Sequence, residues 1–171
     1  GGDAKLQYDG GSIQLLQYGA SLTLVGANAQ ITSSGGGSPL AGLRTNAGVL
    51  DLEGGSSLGE GGVTLATASG FSNYGELNID ANDGLGGSDV TFGGAFLNAG
   101  DAVVGNQTLA ADVTLSAASL NNQGSLIVRG AADGSVAAVV DVAGAASSAL
   151  AGQWLLQGKA SVNYGGGLIS T

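Results

Sequence analysis

The chain has 171 residues and a net charge of −9, with 34 glycines, one proline and no cysteine, methionine or histidine. Its four cations, Lys5, Arg44, Arg129 and Lys159, are scattered, so no basic face can form and neither nucleic acid nor an anionic membrane is expected as a partner. The missing residues remove disulfides, thiol chemistry, the commonest metal ligand and the usual general base at neutral pH.

Charged residues make up 10% of the chain and apolar ones 43%, where an average domain carries about 25% charged. That balance suits a stacked structure of turning glycines and inward aliphatic side chains. It does not suit a disordered chain. The first residue is Gly1, as in a mature product or an excised segment. The length is compatible with one domain spanning 1–171.

Residues 1–45 read as variant first rungs. Asp9-Gly-Gly11-Ser-Ile13-Gln-Leu15 matches the phrase that recurs from Asn46 onward, with Asp in the turn position of Asn, and Leu22-Thr-Leu24 resembles the later Val-Thr-Leu phrase. Ser33-Ser-Gly-Gly-Gly-Ser-Pro39 is a run of breakers, so residues 33–43 are expected to project as an outward loop.

Residues 46–130 are the regular part. Asn46-Ala-Gly48-Val-Leu50-Asp-Leu52, Asn73-Tyr-Gly75-Glu-Leu77-Asn-Ile79, Asn98-Ala-Gly100-Asp-Ala102-Val-Val104 and Asn122-Gln-Gly124-Ser-Leu126-Ile-Val128 share one form, with first residues 27, 25 and 24 positions apart. A second phrase, Val63-Thr-Leu65, Val90-Thr-Phe92 and Val113-Thr-Leu115, precedes the next Asn by ten, eight or nine residues. Alternating apolar residues over a few positions are the signature of strands with one buried face. Two or three short strands per repeat predict an all-β fold, a right-handed parallel β-helix (β-solenoid) of about 25 residues per rung.

Stacked at the inter-strand spacing of roughly 4.8 Å, Asn46, Asn73, Asn98 and Asn122 form one column able to pair its amides as a structural turn ladder. Asn tolerates the left-handed backbone region and Gly takes it freely, which suits a sharp bend here. Leu50, Leu77, Ala102 and Leu126 make one inward column, and Leu52, Ile79, Val104 and Val128 a second. Phe71, Phe96 and Leu120 make a third, which Arg44 interrupts. Glu53, Asp80, Gly105 and Arg129 are expected outward, a solvated face that varies from rung to rung. Thr64, Thr91 and Thr114 read as a single column, too narrow for a flat ice-binding array.

Within residues 80–89, Asp80-Ala-Asn82-Asp83-Gly84-Leu-Gly86-Gly87-Ser-Asp89 clusters oxygen ligands of the kind calcium takes, and is similar to the glycine-rich nonapeptide of calcium-binding β-rolls. The unit does not recur, and an Asp/Asn/Gly turn without metal explains it as well. No metal or cofactor is expected. Asn106-Gln-Thr108 has the form of an N-glycosylation triplet.

Residues 131–171 are degenerate rungs. Residues 136–142 supply a strand, 143–151 a loosened rung or short helix, and Trp154-Leu-Leu156 and Asn163-Tyr-Gly165-Gly-Gly-Leu168-Ile169 resume the pattern. Asp141 and the polar residues after it interrupt any apolar span of ~20 residues, so membrane insertion is not expected.

Catalysis on a glycan would need clustered carboxylates, with a cation or metal to stabilise developing charge. Asp51 with Glu53, and Glu76 with Asp80 above them, are the stacked acids available, with Tyr74 as an exposed aromatic. No basic residue shares those rungs, so catalytic residues are not assigned.

The Asn73 and Asn122 phrases resemble the rungs of bacterial type V secreted proteins, the autotransporter passengers and filamentous-haemagglutinin-like adhesins. The resemblance covers residues 46–130 well and the flanks loosely. It implies a right-handed β-helix exported to the cell surface or the extracellular space of a Gram-negative bacterium. There it would serve as a non-enzymatic adhesin stalk, surface fibre or matrix component. Its partners would be a host or matrix surface, neighbouring rungs of a longer chain, or other copies of itself. An end-to-end filament subunit and a glycan-active β-helix enzyme are the alternatives.

Overall fold

The computed structural model describes residues 5–57, 60–82, 85–146 and 150–166. In chain order the elements are β1 (Lys5–Tyr8), β2 (Leu15–Leu16), β3 (Ser21–Val25), β4 (Gln30–Ser33), a 3-10 turn (Pro39–Gly42), β5 (Thr45–Asn46), β6 (Val49–Glu53), β7 (Thr64–Thr67), β8 (Phe71–Asn73) and β9 (Glu76–Ile79). They continue with β10 (Asp89–Asn98), β11 (Asp101–Val104), β12 (Val113–Asn122), β13 (Ser125–Arg129), β14 (Ala138–Ala145), β15 (Gln153–Gln157) and β16 (Ala160–Gly166). Every pairing among them is parallel, and each partner lies about one repeat away. The protein is an all-β parallel β-solenoid.

The described strands form three sheets, the two larger facing each other across the core. One of these runs β16-β14-β12-β10-β8-β5-β2, with β7 also on β10, and the other runs β15-β13-β11-β9-β6-β3, while β1 and β4 pair in a third. Successive rungs extend both larger sheets, so the core is a stack of similar layers and not a single growing centre. Leu22, Leu50, Leu77, Ala102, Leu126 and Trp154 share one register position, and Leu24, Leu52, Ile79, Val104, Val128 and Leu156 the next but one. The middle four of each file are completely buried. A fully buried Leu or Val contributes about 1.5–3 kcal/mol, so these files supply the solenoid's main cohesion.

From the facing sheet come Leu65, Val90, Leu115 and Val140 in one file. Phe71 and Phe96 pair in register as expected. They are joined by Phe92, whose ring stacks on Phe71 at 4.3 Å between centroids. Arg44 is exposed, and Leu43 beside it enters the core.

Several expectations are corrected. The second phrase does not keep one register: Val90 pairs with Leu65 and Leu115, so Thr64 and Thr114 flank Asp89 while Thr91 sits between Ala66 and Ser116. A bulge between Phe92 and Ala95 in β10, where Gly93 and Gly94 lie, accommodates the uneven spacing. At the N-terminal end, Leu16 and not Asp9 lies beside Asn46, and Leu22-Thr-Leu24 aligns with Leu50-Asp-Leu52.

The 33–43 segment projects only in its first half. Residues 34–38 are exposed, but the Pro39–Gly42 turn folds back, burying Leu40 and Leu43 against the core. Apolar residues after the breakers make this worthwhile, since that end of the core would otherwise stand open. Further on, β14 covers most of the expected 136–142 strand and continues to Ala145. Residues 147–149 of the anticipated loosened rung, Leu168 and Ile169 lie outside the described residues. Asn163 falls on the outer surface opposite Asp141, not in the asparagine column.

Candidate functional site: two corners of the rung

The first corner is the asparagine turn. Asn46, Asn73 and Asn98 each donate an amide hydrogen to the Oδ1 of the next asparagine, at 2.9, 2.8 and 2.8 Å. The second amide hydrogen goes to a backbone carbonyl of the following rung, Glu76, Asp101 or Ser125, at 2.8–2.9 Å. Asn122 closes the series on the carbonyl of Gln153 at 2.9 Å. At the other end the Oδ1 of Asn46 accepts from the Gly48 amide at 3.1 Å, because its neighbour Leu16 has no amide to offer.

All four asparagines are buried, and a buried amide is tolerated only when its donors are used. This file meets that condition by repetition. The turn mechanism expected from sequence is nonetheless wrong: none of the four asparagines has positive φ, and neither do Gly48, Gly75, Gly100 or Gly124. Glycine is required instead by close approach. A Cβ on Gly75 would overlap the Gly48 carbonyl, and one on Gly100 would overlap that of Gly75.

The second corner follows β6 and β9. Here the expected outward file is inverted, because Glu53 and Asp80 are buried, at 6% and 0% exposure. Asp80 takes a left-handed backbone conformation, φ 50°, which ends the strand alternation and turns its side chain inward. Its carboxylate accepts hydrogen bonds from the Gly54 amide, the Ser88 amide at 2.9 Å and the Ser88 hydroxyl at 2.9 Å. Burial holds the carboxyl above its ordinary range, opposed by these same bonds.

Glu53 lies one rung before Asp80. Its Oε1 accepts from the Asn82 side chain at 2.9 Å, while its Oε2 is buried with no hydrogen-bond partner. Asn106 locks the corner from the following rung, donating to the Asp80 carbonyl at 2.8 Å and the Asn82 carbonyl at 3.2 Å. Its Oδ1 accepts from the Thr108 amide and hydroxyl, each at 2.7 Å. As a glycosylation triplet Asn106-Gln-Thr108 is therefore committed inward, with the modifiable nitrogen bonded and the residue 8% exposed.

The proposed acidic stack is split. Asp51 and Glu76 remain on the outer face of the β6–β9 sheet, linked by the Asn78 amide, which donates to Asp51 at 2.7 Å and to Glu76 at 3.0 Å. Thr23 adds a hydroxyl to Asp51 at 3.1 Å. Glu53 and Asp80 sit inside, so the four carboxylates do not share a surface on which a glycan could lie. Asn78 was not singled out from sequence, although its place one rung above Asp51 was available from the period. Two of the cations, Arg129 and Lys159, bond to Gln157 and Ser135, and Tyr74 is exposed.

For calcium, Asp80 is already taken by protein donors, Asp89 begins β10, and Asp83 and Gly84 lie outside the described residues. Among the described residues no three acidic groups converge where a metal could sit. Nor is any helix among them long and apolar enough to cross a membrane. No protein-family model matches the chain, and neither the curated proteins nor the solved structures give a significant match. The corners are therefore interpreted from their own chemistry.

Proposed function

We propose that the chain is a non-enzymatic structural and adhesive β-solenoid, a stalk or surface-fibre segment of a secreted bacterial adhesin displayed outside the outer membrane. One observation carries the reading. The chain's buried polar groups are spent mainly on joining rung to rung, in the asparagine file and the Asn106 lock. Its outward carboxylates, half-buried Asp51 and exposed Glu76, are tied to Asn78 and Thr23 on the outer face of a sheet. A rod whose interactions run along its axis is suited to spacing and presentation. The resemblance of the Asn73 and Asn122 phrases to autotransporter passengers and filamentous-haemagglutinin-like adhesins supports the same role and the extracellular site.

The test is adhesion by the purified chain coupled to beads, measured on surfaces carrying host matrix protein or polysaccharide, with release of sugar fragments followed in parallel. Retention of the beads without sugar release is expected. Fragment release that disappears in Asp51→Asn or Glu76→Gln would replace the adhesive reading with a glycan-active enzyme.

A second reading is a filament subunit stacking end to end. The distribution of exposed large apolar side chains favours it: Leu6, Tyr8, Leu15, Tyr18 and Val25 belong to the first described rungs and Leu150, Leu155 and Leu156 to the last, with Tyr74 between them. Electron micrographs of concentrated protein would show fibres one solenoid wide on this reading and separate short rods on the first.

A further inference from the structure

Among the described residues, Thr32 and Glu53 each bury a side-chain oxygen that has no hydrogen-bond partner, and of the two only Glu53 is ionisable. It is 6% exposed, and one of its carboxyl oxygens has no partner. From the preceding rung, Val25 is its register partner, and Gly26 donates its amide to the Glu53 carbonyl at 2.8 Å. In the loop after β6 lies Glu60, whose carboxylate accepts from the Ser57 amide at 3.2 Å. From the following rung come Asp80 and Asn82; Asp83 lies outside the described residues. Arg129 occupies the same file two rungs beyond Asp80, with its guanidinium on Gln157. Among the described residues the charged groups facing Glu53 are thus acids.

An ionised carboxylate so placed is shielded from solvent and meets no counter-charge among the described residues, a costly state that a buried acid avoids by keeping its proton. Asp80 is the less suitable holder, since the Gly54 and Ser88 donors already cover its two oxygens. In Glu53, Asn82 covers Oε1 alone. What remains is a single bare oxygen at which a proton can sit.

We propose that Glu53 is a proton-binding site built into this corner, filled in acid and emptied as pH rises, so that the solenoid is tighter in acid. Burial holds the Glu53 carboxyl above its ordinary 4.5 and the Asp80 charge adds to this, while the Asn82 bonds and the nearby Ala81 amide oppose it. The folded chain therefore keeps the proton to higher pH than the unfolded chain does. The stabilisation is fully present below the unfolded value and is lost as pH rises through the folded one. Opening should begin where the corner's bonds converge, at the amides of Gly54, Asn82 and Ser88.

The experiment is a carbon-13 NMR titration of the Glu53 carboxyl in the full chain, with urea unfolding of wild type and Glu53→Gln from pH ~4 to ~7.5. The expected midpoint lies above 4.5. The wild-type unfolding constant should rise with pH more steeply than the variant's, by up to about tenfold per pH unit for the one proton, and the variant should be the more stable at neutral pH. A midpoint at or below the ordinary value, or equal pH slopes in the two proteins, overturns the proposal. So does calcium chloride that stabilises wild type and not the variant at neutral pH, which would assign the oxygen to a cation. If Glu53→Gln does not fold, the wild-type titration decides alone, by the same midpoint.

Discussion

The two corners of the rung bury polar side chains under the same constraint and meet it differently. At the asparagine turn one residue type repeats four times, and each amide meets its own copy one rung along. At the Asp80 corner the file reads Val25, Glu53, Asp80, Gly105 and Arg129, and each rung needs a separate solution. Repetition satisfies the buried donors of the first corner without gaps. The irregular file leaves a bare oxygen on Glu53. A repeat protein thus gains polar satisfaction from sequence identity along its axis, and where the identity lapses it needs added partners such as Ser88, Asn82 and Asn106.

The largest effect is expected at the uniform corner. Asn98→Ala removes the acceptor of Asn73 and the donors to Asn122 and the Ser125 carbonyl. It should cost about 3–5 kcal/mol in urea unfolding, since several buried groups lose partners together. Asp80→Ala should cost somewhat less, about 2–4 kcal/mol, from the lost bonds to Gly54 and Ser88 and from placing alanine at φ 50°. Asn106→Ala comes next, at about 1–3 kcal/mol. Amide exchange should quicken at Thr108, which loses its acceptor.

The smallest change sharpens the contrast between inside and outside. Asp51→Asn, on the outer face with its bonds to Thr23 and Asn78, should move stability by no more than about 0.5 kcal/mol. If it costs as much as Asn98→Ala, the distinction between buried files and a solvated face is wrong.

What was legible in the sequence follows the same division. The asparagine phrase announced both the period and the ladder, because a side chain that meets its own copy must recur. The inward leucine and valine files were legible for that reason too. Asp80 was not, because strand alternation after Ile79 places it outward and only its left-handed backbone turns it in. Asp is one of the few non-glycine residues that visit that region, which was the available signal. At the N-terminal end, Leu22-Thr-Leu24 fits either phrase, and nothing local distinguishes them until β3 is seen pairing with β6. The Pro39–Gly42 turn looked like a projecting loop because breakers precede it. The two leucines that plug the core follow those breakers and carry the opposite message.

The central claim is that neighbouring rungs are coupled through one continuous file of asparagine amides. A double-mutant cycle on Asn73→Ala and Asn98→Ala by urea unfolding tests it most directly, with Asn46→Ala and Asn122→Ala as the distant pair. A coupling of about 1 kcal/mol or more is expected for the adjacent pair, and additivity within about 0.5 kcal/mol for the distant one. Additive costs for Asn73 and Asn98 would contradict it.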